Sequence, residues 1–405
     1  MRGERKIKII KSQQTVIRKS HPLYKTIDQM CFNSKNLYNY ANYILRQAFV
    51  NKEKQPTYPE LNKELKHQID YVSCMSQPAN CVLRRLFKVW KSFYVACKDF
   101  TNNPNKYLGA PHPPKYLKKN GRYVWEIPNN SCYVKNGYLQ FRVKFLQLYN
   151  WNVKPQGRLL QVRFVPKGTC YIMEVVTETE KEIDFSEVKN IASIDLGVNN
   201  FATITNNIGL EPIIINGKGV KSINQFYNKR RADIQNKLGN QKWSKKLDSI
   251  TFKRSMRIKN FMHNASRYII NYCLKNKIDT IICGKNNLWK NGMKMCNKVN
   301  QKFQYIPYEV FLNQLEYKCV DVGINFIKTD ESYTSGTSFM ENELPVKENY
   351  DKKRRIKRGM FKSINGLINS DVNGSYQIMR KVFPDAISYG IEVCLTPKIV
   401  NVVKI

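Results

Sequence analysis

Acidic side chains are scarce in this chain. Its 405 residues carry 31 Asp and Glu against 68 Lys and Arg, a formal net charge of +37. That imbalance is far beyond what solubility needs, and it calls for a large polyanionic partner. Long apolar runs are missing too. None approaches the ~20 residues that span a bilayer, and no single helix concentrates the basic excess, so a membrane is not the expected anion. The basic start Met1-Arg-Gly-Glu-Arg-Lys6 is not followed by an apolar stretch of about 7–15 residues, so no export signal is expected. Paired C-x-x-C motifs are absent. The eleven cysteines are scattered and read as reduced, mostly buried thiols.

What is present is a globular chain. An apolar share of 42% supports sizeable cores, and the length allows two or three domains. With 24 Tyr, 19 Phe and 5 Trp available to stack on bases, nucleic acid is the first choice of polyanion. Frequent Lys and Asn read as coding bias of an AT-rich genome. That lowers the weight of any single lysine but does not account for the net charge.

Residues 1–20 hold a short β-like piece, Ile7 to Ile17. Helical spacing of Leu23, Ile27, Met30, Leu37, Ala41, Ile44 and Ala48 then predicts one amphipathic helix over 22–49. A polar stretch with a shorter helix follows, and then a helix over 77–100 with Arg84 and Arg85 off its apolar face. Prolines at 104, 111, 113 and 114 mark a boundary. Beyond it, alternation predicts strands over 138–145, 162–165 and 169–176, the last two joined by Pro166-Lys-Gly168. Lys181 to Lys189 reads as a charged linker.

Two later stretches carry chemistry. Ile191-Ala-Ser-Ile-Asp195-Leu-Gly-Val-Asn-Asn200 reads as a strand and tight turn into a second strand, 201–205, with Asp195 at the first strand's end. Asn369-Ser370-Asp371-Val372-Asn373-Gly374-Ser375 opens a helix with Asp371 in its first turn. Carboxylates on separate elements, converged by folding, suit a phosphodiesterase that binds two divalent cations about 3.5–4 Å apart. Further strands are predicted at 212–216, 279–284 and 324–328, with basic helices over 218–276 and a helix over 307–322. Three strands, helix-separated strands and a closing helix are the order of an RNase H-like α/β fold.

These stretches resemble the first and third catalytic motifs of the RuvC-like nuclease domain of TnpB proteins, the RNA-guided nucleases of insertion sequences related to type V CRISPR effectors. The resemblance continues through Asn264-Ala-Ser-Arg267, Lys302-Phe-Gln-Tyr-Ile-Pro307 and Glu331-Ser-Tyr-Thr-Ser335. It implies three parts: a wedge β-barrel (1–20 and 106–185), an inserted helical recognition bundle (21–105) and a RuvC-like nuclease domain (186–405). It also implies a guide RNA from the element's end, a double-stranded DNA target with a short adjacent motif, and a bacterial, cytoplasmic setting at the nucleoid. Two Mg²⁺ or Mn²⁺ ions are the implied cofactor.

The chain departs from the family twice. The usual second glutamate, at the end of the fourth strand, is missing: Cys283-Gly284-Lys285-Asn286-Asn287 stands there, and no Asp or Glu occurs between Asp279 and Glu309. Glu331, after the neighbouring fifth strand, is the expected replacement, because strand ends on one sheet edge share a ligand site. Asp330 should point to the opposite face. Asp195, Glu331 and Asp371 are therefore the expected catalytic and metal-binding triad. Second, residues 336–368 contain no cysteine where relatives carry a zinc ribbon, so no structural zinc is expected.

Expected nucleic-acid contacts are Arg84 and Arg85, then Lys229, Arg230, Arg231, Lys253 and Arg254 along a guide–target heteroduplex. Lys285, and Arg354, Arg355, Lys357 and Arg358 beside the active site, complete the set. Three activities remain compatible with these residues: guided cleavage, guided binding without cleavage, and strand transfer.

Overall fold

The computed structural model describes residues 5–183, 188–241, 243–285, 306–357, 359–364, 366–386 and 397–402. They fall into two compact units, residues 10–180 and residues 1–9 with 181–405.

The first unit combines helices and antiparallel strands. Strand β1 (Arg5–Ile17) precedes α1 (Tyr24–Val50), α2 (Tyr58–Leu65), α3 (Ile69–Cys74) and α4 (Ser76–Asn102). The predicted periodicity is what α1 buries: Ile27, Cys31, Leu37, Ala41, Leu45 and Ala48 lie on its inner face. Leu37 and Leu45 meet Leu61, Leu65, Leu86 and Trp90 in one core. Helix α2 starts at a capping box, with Thr57 and Glu60 satisfying each other's backbone N–H groups.

Strands β2 (Trp125–Pro128), β3 (Cys132–Lys135), β4 (Tyr138–Phe141), β5 (Arg158–Lys167) and β6 (Cys170–Ile183) follow, with a short α5 (Lys144–Gln147) after β4. One sheet has the order β1-β6-β5-β2, and β3-β4 form a separate hairpin. Ile17, Trp125, Phe141 and Phe164 fill a shared core. The four helices are thus inserted between two strands of one sheet. One expectation is corrected: the alternation over 138–145 does not give one strand. The chain turns after Phe141 so that Leu146 of α5 is buried in the same core as Phe141.

The second unit is a mixed α/β sheet with helices on both faces. Its strands are β7 (Ile191–Leu196), β8 (Asn200–Asn206), β9 (Ile213–Asn216), β10 (Thr280–Lys285), β11 (Asn325–Asp330) and, outside that sheet, the pair β12 (Met360–Ser363) and β13 (Gly366–Asn369), with β14 (Lys398–Val400) last. The sheet order is β11-β10-β7-β8-β9-β14. Strands β7, β8 and β9 are an antiparallel meander, and β10 and β11 run parallel to β7 on its other side. The helices are α6 (Lys218–Leu238), α7 (Lys245–Lys275), α8 (Tyr308–Val322) and α9 (Ser370–Val382).

Strand alternation decides what each face of β7 does. Ala192, Ile194 and Leu196 join Phe261 of α7 and Phe311 of α8 in the larger core. Ile191 packs with Ile282, Ile378 and Met379 on the α9 side. Ser193 and Asp195, two and four residues on, therefore share the α9 face. Among the described residues no helix is long and apolar enough to cross a membrane, and every described cysteine is a free thiol, all but Cys97 buried.

Candidate active site

Helix α9 is anchored on the sheet by hydrogen bonds placed beside its first turn. The Ser375 hydroxyl donates to the Ser193 carbonyl (3.0 Å) and lies 3.0 Å from Thr205 Oγ1, while the Ser193 hydroxyl donates to the Ser375 carbonyl at 2.6 Å. Asn373 fixes the loop before it: its Nδ2 donates to the Thr337 carbonyl (2.8 Å) and its Oδ1 accepts from Phe339 N (2.9 Å). Ser375 and Asn373 thus hold the helix in place. Asn369 caps it, its Oδ1 accepting from the N–H groups of Asp371 (2.9 Å) and Val372 (3.2 Å).

This anchoring carries Asp371 to a pocket of about 540 Å³ that is also lined by Asp195 and Glu331. Asp195 comes from the end of β7, Glu331 from the residue after β11, and Asp371 from the first turn of α9, where a carboxylate is favoured by the helix dipole. Glycines leave room for them. A Cβ at Gly374 would stand 3.0 Å from Asp195 Oδ2, and one at Gly284 would stand 3.2 Å from Glu331 Oε2. Gly284 pairs with Thr329 in the parallel register, so β10 contributes no side chain where β11 then delivers Glu331. Asp330, by contrast, is exposed. It bonds Ser332 and pairs with Lys381 at 3.3 Å, and it does not line the pocket.

Burial, and after it the neighbouring carboxylates of Glu331 and Asp371, push the Asp195 carboxyl well above its usual range, against a smaller opposing pull from Arg355. Asp371 is more polar in its contacts: Asn200 Nδ2 donates to its Oδ2 at 2.7 Å, and Arg355 Nη2 lies 3.8 Å from its Oδ1. Among the described residues, no three carboxylate, imidazole or thiolate groups are gathered closely enough to hold one ion as they stand. The donor set nevertheless fits hard cations: Glu331 and Asp371 disfavour the charge on the buried Asp195, and a divalent cation relieves that repulsion.

The repulsion has a measurable consequence. A raised folded pKa means this group favours folding at pH below the usual carboxylate range, and that contribution is lost as pH rises through the raised value. Asp195→Asn is therefore expected to stabilise the metal-free protein at neutral pH by on the order of 1 kcal/mol, or about 2–4 °C in a melting curve recorded with chelator.

The sequence-predicted basic residues divide. Lys229, Arg230, Lys253 and Lys357 are exposed. Arg85 is half-buried, its Nε donating to Glu126 Oε2 at 2.7 Å, and Arg84 lies over the Tyr58 ring at 5.8 Å. Arg254 donates to Asn224 Oδ1 (2.7 Å) and stacks on Tyr227, and Lys285 pairs with Glu309 at 2.8 Å. Arg231 sits half-buried on α6, and Arg355 turns into the pocket. Arg358 lies outside the described residues. Arg354 is paired within the protein. It donates to both Glu343 oxygens (2.8 Å each) and to Glu341, and its guanidinium lies 5.4 Å from the Phe361 ring centroid.

That cluster ties down the stretch without cysteines. Glu341 Oε1 also accepts from Ile364 N at 2.7 Å and from Ser363 Oγ at 3.1 Å, joining the loop to β12. Arg354→Ala is expected to cost about 2–3 kcal/mol by removing the cation that Glu341 and Glu343 share, read as a lower denaturant midpoint.

Sequence reasoning missed Asn200, Gly284 and Gly374 as parts of the site. Glycine inside an otherwise regular helix was the available signal for Gly374.

Residues 174–290 match the OrfB_IS605 family, described as a probable transposase. Residues 308–378 match the TNB domain of Cas12f1-like proteins. The chain is TnpB-like. The second match relates this TnpB-like chain to the Cas12f1-like proteins, and the two matches between them include Asp195, Glu331 and Asp371. No curated protein matches it. Solved structures similar to it include a Cas12f1–sgRNA–target DNA complex, at 15% identity, with 91% of this chain and 98% of that chain covered and a TM-score of 0.39. The mini-RNA-guided endonuclease CRISPR-Cas phi3 is 11% identical, with 95% and 94% covered and a TM-score of 0.48.

Proposed function

We propose that the TnpB-like chain is an RNA-guided, metal-dependent DNA endonuclease of a transposable element. One observation carries the reading: carboxylates from three separate elements, Asp195, Glu331 and Asp371, line one pocket. They would hold two Mg²⁺ or Mn²⁺ ions. Such cations would supply a water of lowered pKa and charge stabilisation for the phosphodiester. Asn200 orients Asp371, and Arg355 offers the pocket a cation for an anionic backbone. A guide RNA from the element's end would select the target by pairing, as relatives with guide RNA and target DNA in their structures suggest. Residues 1–20 with 106–185 would act as wedge and 21–105 as recognition bundle, gripping RNA and the short DNA motif. The setting would be the bacterial cytoplasm.

Guided binding without cleavage is a second reading, favoured by the absence, among the described residues, of three such groups gathered around one ion position. The ribonucleoprotein, purified with its native downstream RNA and given Mg²⁺ and a guide-matched plasmid library, separates the two. Cleavage lost in Asp195→Ala supports the nuclease; tight guided binding without any cut assigns the second reading.

A further inference from the structure

Helix α4 carries a feature that the endonuclease chemistry does not use. Its outer face bears Lys88, Lys91 and Lys98, all exposed, spread over about 15 Å of helix axis. Its one acidic residue, Asp99, is occupied by Lys106 (2.7 Å) and Tyr107 (2.6 Å). Beside Lys91 and Lys98 an apolar pocket of about 410 Å³ opens, walled by Leu45, Phe87, Trp90, Tyr94 and Val95. That volume lies within the range of small-ligand pockets, about 300–1,000 Å³.

The pocket is built. Tyr94 is 43% exposed yet fixed, its hydroxyl donating to Gln55 Oε1 at 2.8 Å while Gln55 Nε2 donates to the Leu45 carbonyl at 2.6 Å. Trp90 beneath it is locked by a 3.0 Å bond from Nε1 to Asn42 Oδ1, with the two rings 5.8 Å apart. The result is a preformed aromatic and aliphatic floor flanked by Lys91 and Lys98.

An apolar slot with a cationic rim suits a flat apolar group attached to a polyanion. A second copy of a +37 chain would set lysine against lysine. An unpaired base meets both demands: its ring fills the slot, and the flanking phosphates meet Lys91 and Lys98. Bases already unstacked are a property of RNA bulges and loops. A base inside duplex DNA would first have to be flipped out, against its stacking. We infer that this pocket captures one unpaired base of the RNA partner. The inference rests on RNA being a partner and adds where, and in what form, it is held.

The probes are an RNA hairpin with a single bulged 2-aminopurine, the same hairpin with the bulge closed, and the bulged hairpin in DNA, each titrated against the full chain. The bulged RNA is expected to bind about tenfold tighter than the closed one, with its fluorescence quenched on binding. Tyr94→Ala should erase that tenfold preference and leave the closed hairpin's affinity unchanged, with Tyr94→Phe retaining it. Lys91→Gln with Lys98→Gln should weaken the bulged RNA more than the closed one. Equal binding of bulged and closed RNA overturns the pocket while leaving an RNA partner standing, and equal binding of bulged RNA and bulged DNA overturns the assignment of the captured base to RNA. Binding of no hairpin overturns both. Dimerisation of the parent that Val95→Asp abolishes gives the face to a second copy and also overturns it.

Discussion

Glu331→Ala is expected to lower guided DNA cleavage by on the order of 10²–10³ while leaving guided binding and the melting temperature nearly unchanged. The size follows from chemistry: phosphodiester hydrolysis in such a site depends on charge stabilisation, and removing one of three carboxylates weakens the cation positions without changing how a target is paired. Stability should survive. Glu331 follows β11, is half-buried, and its backbone is held by Thr334, whose hydroxyl donates to the Glu331 carbonyl at 2.8 Å. Asp330→Ala is the matched control. That residue faces Lys381 and Ser332, so cleavage should be retained. A single-turnover plasmid assay with both variants decides between them. Full cleavage by Glu331→Ala would remove this residue from the site.

That Glu331 lines the same pocket as Asp195 was legible because a sheet obeys simple rules. The alternation Ile191, Ser193, Asp195 fixes one face of β7, and parallel neighbours end on the same edge. Long periodic elements such as α1, α4 and α7 were legible for the same reason: many residues vote for one face. Short elements were not. Strands β12, β13 and β14 have four, four and three residues, too few for a period to emerge, and β14 joins the sheet only by pairing with β9. Arg354 shows a different limit. In sequence it belongs to the run Lys352–Arg355, and only the fold reveals that Glu341 and Glu343, thirteen and eleven residues earlier, claim it. A charge run gives composition; pairing is a tertiary property. The stretch 138–145 failed because alternation continued past the residue where burying Leu146 required a turn.

Gly284→Ala is expected to slow cleavage by about ten- to a hundredfold with little loss of stability, although it adds a single methyl group. A Cβ there would approach Ile378 Cδ1 to 2.7 Å, Glu331 Oε2 to 3.2 Å and Glu331 Cβ to 3.4 Å. Ile378 can yield, since the atom is the end of a side chain packed in a small core with Ile191, Ile282 and Met379. Glu331 has less freedom, because its Cβ and its carboxylate are both in contact and Thr334 holds its backbone. The carboxylate must therefore swing by a few tenths of an ångström, which would displace the cation position that the proposed reaction depends on. The expected signature is a higher Mg²⁺ concentration for half-maximal cleavage together with an unchanged melting curve. A drop in melting temperature with unchanged metal demand would mean that the methyl disturbs the core around Ile378 instead. The same geometry links the missing fourth-strand glutamate to Glu331: a strand β10 without a side chain at position 284 leaves the space that the Glu331 carboxylate occupies. Gly284→Glu should for that reason not add a fourth working ligand but compete with Glu331 for the same space.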